Sequence, residues 1–280
     1  MSERVRLLPV ERRRQIAELV DESGALRIGE LTSRFGVTDE TIRRDLSALE
    51  EEGVLTRQHG GALSTGMSVE TPYRRRTREQ NAAKETIARA AVEFIHDGST
   101  IIVDSGTTMK SLVDLLRTKR DLVVITNGVS HVPDLLANPS TTVVMTGGSV
   151  RRASLGAVGD LAVATLQTLR ADHTFLATHG FSAEAGVTYP SFEEVAVKRA
   201  MIAAGVEVTL LADGTKCGRT SMVRVASLEA FDRVITSAPV PDEELTKIRQ
   251  LGVEVMVVGS EEEEVMVVGS EEVEEQRGAA

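Results

Sequence analysis

The chain has 280 residues, enough for two domains that each bury a core. Hydrophobic residues make up 41% of it, yet no apolar run approaches the ~20 residues that span a bilayer. The start MSERVRLLPVERRRQ reads as too charged for a signal peptide, so none is expected, and a lone Cys217 excludes an internal disulfide or a Cys-rich metal site. A cytoplasmic protein is expected, with no metal or cofactor implied. Residues 1–80 carry 14 Arg against 14 Asp plus Glu, and the rest carry 18 basic against 28 acidic residues, so the whole net charge of −10 lies behind the front third. The overall acidity therefore does not exclude a polyanionic partner for residues 1–80, where the local placement of Arg decides.

Pro9 suits the first turn of a helix, and Ile16, Leu19 and Val20 follow at helical spacing, predicting about three turns closed by Gly24. Ile28, Leu31 and Phe35 share one face of a second short helix that ends at Gly36. Thr38 is an N-cap residue, Asp39 and Glu40 favour the positive end of the next helix, and Ile42, Leu46 and Leu49 form its buried stripe. Thr41, Arg43, Arg44 and Ser47 are left on the other faces. Two short helices joined by a tight turn, the second with a polar, Arg-bearing leading end, is how a recognition helix enters a major groove. After Gly53 the run VLTRQHGGAL turns at Gly60-Gly61 and reads as a β-wing, placing Arg57, Gln58 and His59 near DNA backbone or minor groove. Alone, each piece has a plainer reading: Arg44 and Asp45 as a solvated helix face, His59 as a polar wing residue.

The combination weighs more. Arg12-x3-Ile16-x3-Val20, seventeen residues, then T-D-E-T-I-R-R-D-L with a trailing HGGA closely resembles the DeoR family of bacterial regulators, contiguously from Leu8 to Leu63. The resemblance implies a winged helix-turn-helix domain over 8–63 that binds a double-stranded DNA operator through Thr38, Thr41, Arg43 and Arg44. Asp45 is expected to orient a neighbouring Arg.

Ser64 to Pro72 is rich in Ser, Thr, Gly and Pro and reads as a linker, after which YRRRTREQNAAKETIARAAVEF regains a helical period with Ile87, Ala91 and Phe94 on one side. Beyond Gly98, TIIVD, LVVIT, TVVMT, HTFLA, VEVTLLA, RVITS and VEVMVV alternate with helical stretches. Strands apolar on both faces and separated by helices predict a Rossmann-like, mostly parallel α/β domain over 73–258, with its chemistry at the carboxyl ends of the strands. The first such end, Asp104-Ser105-Gly106-Thr107-Thr108, leads directly into a helix and presents backbone N–H and hydroxyl donors suited to an anion. Thr126-Asn127-Gly128, Thr146-Gly147-Gly148-Ser149 and Asp213-Gly-Thr-Lys216 end later strands; singly, each is also an ordinary tight turn.

DSGTT, VITN, TGG, E-x3-KR and D-x-x-K resemble the sensor half of the same family, itself similar in fold to ribose-5-phosphate isomerases. That resemblance implies a repressor of sugar-metabolism genes that a phosphorylated sugar releases from its operator by altering a dimer or tetramer. The phosphate loop would be Asp104 to Thr108, with Asn127, Gly147, Gly148, Lys198 and Lys216 around the pocket; Glu194, paired i,i+4 with Lys198, and Asp213 join them. Three positions depart from the family pattern: His179, expected to be an ordinary hydrogen-bonded residue although a ligand contact is open to it, Cys217, and Ser237. The alternative is a sugar-phosphate isomerase-like enzyme with an appended DNA-binding domain, using Glu194, Lys216 and His179 as acid/base groups. EVMVVGSEE at 254–262 recurs at 264–272; only the first copy has a place as the last strand, and 259–280 is expected to be a disordered acidic tail.

Overall fold

The structure, a computed structural model, describes residues 7–23, 25–52, 54–58, 60–64, 73–77 and 79–259. The chain divides into two compact units, Met1–Thr71 and Pro72–Ala280. Gly24, Gly53, His59, most of the expected linker and the second copy of the tail repeat lie outside the described residues.

The first unit runs α1 (Pro9–Ser23), β1 (Ala25–Arg27), α2 (Ile28–Phe35), α3 (Asp39–Glu51), β2 (Leu55–Gln58) and β3 (Gly61–Ser64). Pro9 opens α1, which is 15 residues long rather than about three turns. Glu30 accepts a hydrogen bond from the Arg27 N–H at 3.0 Å and fixes the start of α2; Gly36, at φ 63°, ends it in the left-handed region. Ile16, Val20, Ile28, Leu31, Ile42, Leu46, Leu49 and Leu55 make one core, which is why three short helices hold together. The wing is a three-stranded sheet in the order β1-β3-β2, not a simple hairpin. The added strand explains a glycine of the wing turn: a Cβ on Gly61 would lie 2.2 Å from the Leu26 carbonyl oxygen.

In the second unit the expected helix from Tyr73 is broken into α4 (Tyr73–Arg76) and α5 (Asn81–Val92), because Gln80 turns to φ 54°. There follow β4 (Thr100–Val103), α6 (Thr107–Leu115), β5 (Val123–Thr126), α7 (Val132–Leu136), β6 (Thr142–Met145), β7 (Ser149–Val150), β8 (Ala157–Val158) and α8 (Asp160–Gln167). The chain continues through β9 (Ala171–Ala177), β10 (Gly180–Ser182), β11 (Gly186–Tyr189), α9 (Phe192–Ala204), β12 (Gly205–Ala212), β13 (Val223–Ala226), β14 (Arg233–Ser237), α10 (Asp242–Gln250) and β15 (Glu254–Val258).

The seven expected apolar runs form one parallel sheet in the order β15-β14-β12-β9-β4-β5-β6. Their side chains alternate between two cores. Ile101, Val103, Val124, Phe175, Leu211 and Ile235 pack with α5 and α6, whereas Ile102, Ile125, Leu176, Leu210 and Val234 pack with residues of α8, α9 and α10. The small antiparallel sheets β10-β11-β13 and β7-β8 lie beside this frame. From β4 the chain steps outward through β5 and β6, and the later strands add on the other side starting with β9. The order therefore reverses between β4 and β9, which is where an open α/β sheet leaves a crevice at its carboxyl ends.

Candidate functional site

In the first unit the exposed groups of α3 are set by what its other face must do. Thr38 caps the helix, its Oγ1 accepting from the Thr41 N–H at 3.3 Å and lying 2.9 Å from the Thr41 hydroxyl. With Ile42, Leu46 and Leu49 in the core, Arg43 and Arg44 project to solvent; Arg44 comes within only 3.9 Å of Glu40, with side chains 83% and 75% exposed, a pair too weak to hold it. Asp45 does orient an arginine, but its partner is Arg12 of α1, whose Nε lies 2.6 Å from Asp45 Oδ2 with both side chains buried. Arg57 is turned back onto α3: its N–H donates to Glu50 Oε1 at 2.9 Å, its Nη1 to Ser47 Oγ at 2.7 Å, and its Nε pairs with Glu50. It ties the wing to the helix. Gln58 lies on β2 beside it.

In the second unit Asp104 ends β4 at the switch point and is 1% exposed. Its Oδ1 accepts the Ser105 N–H at 2.8 Å, its Oδ2 accepts the Ala177 N–H at 3.1 Å from the end of β9, and Oδ2 is ion-paired with Lys198 Nζ of α9. Lys198 also donates to the Ala177 carbonyl at 2.9 Å and sits 4.4 Å over the Tyr189 ring. Burial pushes the Asp104 carboxyl above its ordinary range, against the pull of Lys198 and the Ala177 N–H. The pair clamps β4, β9 and α9 at one point.

Beyond it, Ser105, Thr107 and Thr108 are buried, and Gly106, at φ 120°, swings the chain from the end of β4 directly into the first turn of α6, the positive end of that helix. Asn127, at the end of β5, is 2% exposed and donates Nδ2 to the Ala157 carbonyl at 3.2 Å, while its Oδ1 has no hydrogen-bond partner among the described residues. Gly156 packs flush against both groups: a Cβ there would come within 2.6 Å of Ser105 Oγ and 3.3 Å of Asn127 Nδ2. Gly148 is likewise hemmed in, its Cβ position lying 2.3 Å from the Val158 carbonyl oxygen, but Gly147 and Gly148 are themselves exposed and stand at the rim.

Glu194 is buried and pairs with Arg151, whose Nη1 is 2.8 Å away. Burial works against its ionisation, but Lys198, the Ser154 hydroxyl and Arg151 outweigh it and hold the carboxyl below its usual range. A fixed carboxylate of this kind is a structural anion, ill-suited to exchange protons near neutral pH. Asp213 caps the turn after β12 through the Thr215 N–H at 3.2 Å and acts electrostatically on Lys216, whose pKa burial lowers. His179 differs from the sequence expectation: its Nε2 has no hydrogen-bond partner among the described residues, and its ring meets Tyr189 edge-on at 5.7 Å. Burial, then the charges of Lys216, Arg76, Arg219 and Lys198, lower its pKa to about 3, so it is neutral. Cys217 is half-buried, with its thiol pushed up to about 11 by burial and Glu244, which leaves it unreactive near neutral pH.

Residues not singled out from the sequence also build this region. His131 is fully buried behind the loop, its Nε2 3.1 Å from the Asp104 carbonyl oxygen, and burial lowers its pKa to about 4. Arg76, Lys84, Arg151 and Gly156 come from elements whose sequences carry no motif; only the basic run YRRRTR signals the first of them. No group of three or more His, Cys, Asp or Glu that could hold a metal occurs among the described residues, and no described helix is long and apolar enough to cross a membrane.

A capped, arginine-bearing helix behind a tight turn and beside a β-wing places the chain among winged helix-turn-helix DNA-binding proteins. Residues 12–66 match the DeoR-like helix-turn-helix domain and residues 79–238 the DeoR C-terminal sensor domain. The chain belongs to the DeoR family. It is 34% identical over 231 residues to the glycerol-3-phosphate regulon repressor of Escherichia coli K12, covering 82% of this chain and 92% of that one. It is also 34% identical over 254 residues to the HTH-type transcriptional regulator GlpR of Haloferax volcanii, covering 89% and 98%. Among solved structures, ribose 5-phosphate isomerase A of Methanocaldococcus jannaschii aligns with 50% of this chain and 55% of its own at 13% identity and a TM-score of 0.36, too slight a likeness to carry over a residue or a reaction.

Proposed function

We propose that the protein is a repressor of sugar-metabolism genes, released from its operator when a phosphorylated sugar enters the crevice at the end of β4. The observation that carries this is Asn127 Oδ1, an acceptor within a 2% exposed side chain that no described donor satisfies. Left unsatisfied, such a group costs on the order of 1–3 kcal/mol, which a ligand hydroxyl reaching it would recover. His179 Nε2, also without a partner, is a second polar atom for the same ligand. The hydroxyls of Ser105, Thr107 and Thr108 with the first turn of α6 suit its phosphate; Asp104, Lys198, Glu194 and Asp213 hold the walls, Lys216 adds a cation, and Gly147 and Gly148 form the rim. Thr38, Thr41, Arg43 and Arg44 read or clamp the operator, with Arg57, Gln58 and His59 in the wing, and two copies of the chain bind a paired site. The relatives aligned along most of both chains are named regulators rather than isomerases. The test is a thermal-shift screen of phosphorylated sugars followed by operator release with any that bind. A ligand at 100 times its Kd stabilises by about 2.7 kcal/mol. No shift with any of them sinks the sensing reading.

A further inference from the structure

Lys84, at the end of the first turn of α5, is 5% exposed, yet its ammonium is held by carbonyl groups. Its Nζ donates to the Arg76 carbonyl, the last of α4, and to the Glu79 carbonyl at 2.6 Å. The buried cations Arg12 and Lys198 each have a carboxylate at ion-pair distance. The Lys84 ammonium sits instead in a field where Asp213 and Glu79 are offset by Lys216 and Arg76, and burial lowers its pKa to about 8. A buried ammonium with no carboxylate at ion-pair distance among the described residues is an anion site in waiting.

The carbonyls that hold Lys84 belong to the segment Tyr73–Gln80, through which the chain enters the second unit from the DNA-binding side. That segment is pinned over the strand ends at two further points: Tyr73 Oη accepts from the Ser130 hydroxyl at 3.1 Å, just past Asn127, and Arg76 Nη2 donates to the Ala153 carbonyl at 2.8 Å, three residues before Gly156. The charge of Arg76 also reaches His179 and Lys216.

We propose that Lys84 couples the ligand site to the DNA-binding unit: an anionic ligand group entering beside Lys216 draws the Lys84 ammonium off the carbonyls of Arg76 and Glu79 and frees residues 73–80. This rests on the reading of the effector as a phosphorylated sugar. The ligand need not touch the DNA-binding unit. It has only to favour the arrangement in which Lys84 faces the anion over the one in which it faces the segment.

Hydrogen exchange on the full chain tests this, with inorganic phosphate and a panel of three- to six-carbon sugar phosphates as probes and a thermal shift run in parallel. In the wild type, a probe that raises the melting temperature should speed exchange at residues 73–80 several-fold while slowing it at 104–108. In Lys84→Met the same segment should exchange fast without any probe and respond no further, with probe affinity at least about tenfold weaker. A wild-type protein that binds a probe while residues 73–80 stay unchanged or become slower overturns the coupling and leaves the sensing reading standing; this comparison needs no variant to fold. Lys84→Met retaining both slow exchange and the probe response overturns it as well. If no probe shifts the wild type, the sensing reading falls and this inference falls with it.

Discussion

Lys198 and Asp104 show how one buried pair defines a site. The carboxylate ties β4 to β9 through the Ala177 N–H and to α9 through the ammonium, so neither charge can be removed singly without stranding the other. Lys198→Met should lower stability by about 3–5 kcal/mol, read as a urea midpoint, and Asp104→Asn combined with it should cost less than the sum of the single changes. Arg12 and Asp45 make the same kind of pair in the first unit. Asp45→Ala should therefore weaken DNA binding by unfolding that unit, visible as lost helical circular dichroism. Arg44→Ala should weaken operator binding with the fold intact; unchanged affinity in a gel shift at ~150 mM salt would remove this side chain from the interface.

At the scale of elements, what could be read from the sequence follows from how locally each is determined. Leu210 and Leu211 of β12, facing opposite cores, give the strand a continuous apolar run that a turn or an exposed helix does not have, and the same holds for the other six strands of the parallel sheet. Strands β1, β7, β8, β10 and β11 have two to four residues, too few to show an alternating period, and β1 forms only because a distant partner accepts it, Leu26 pairing with Ala62, so their sequences carry little signal. The loop Asp104–Thr108 was legible for the same reason as β4, being continuous with it. Lys84 and Arg151 were not, since each reaches the strand ends from another element and nothing in the spacing announces it. Gly156 is the sharpest such case: Gly156→Ala should force Ser105 and Asn127 apart and abolish any ligand-induced thermal shift, while the melting temperature without ligand moves by much less than in Lys198→Met.

Across the whole molecule, three neutral imidazoles set an acid limit. His131 and His173 are lowered to about 4 and His179 to about 3, each chiefly by burial, whereas a histidine in the unfolded chain titrates near ~6.5. The folded state thus takes up fewer protons than the unfolded one as pH falls below ~6.5, and the stability from burying neutral rings, complete above that pH, is progressively lost toward pH 4. The urea midpoint of the second unit should be lower at pH 5.5 than at pH 7.5; an equal or higher value at pH 5.5 contradicts neutral burial.

Among the described residues strand β15 occupies the outer place in the sheet and pairs with β14 alone, from Arg233 opposite Glu254 to Ser237 opposite Val258. The words of that strand are written twice. Excising residues 254–263 joins Val253 to a second EVMVVGSEE, so the shortened chain would present β14 with the same nine letters in the same register. Its folding stability should match the parent within about 0.5 kcal/mol. The gene thus carries a spare for one border strand, and a deletion there, which in any other strand of the sheet would destroy the fold, would go unnoticed.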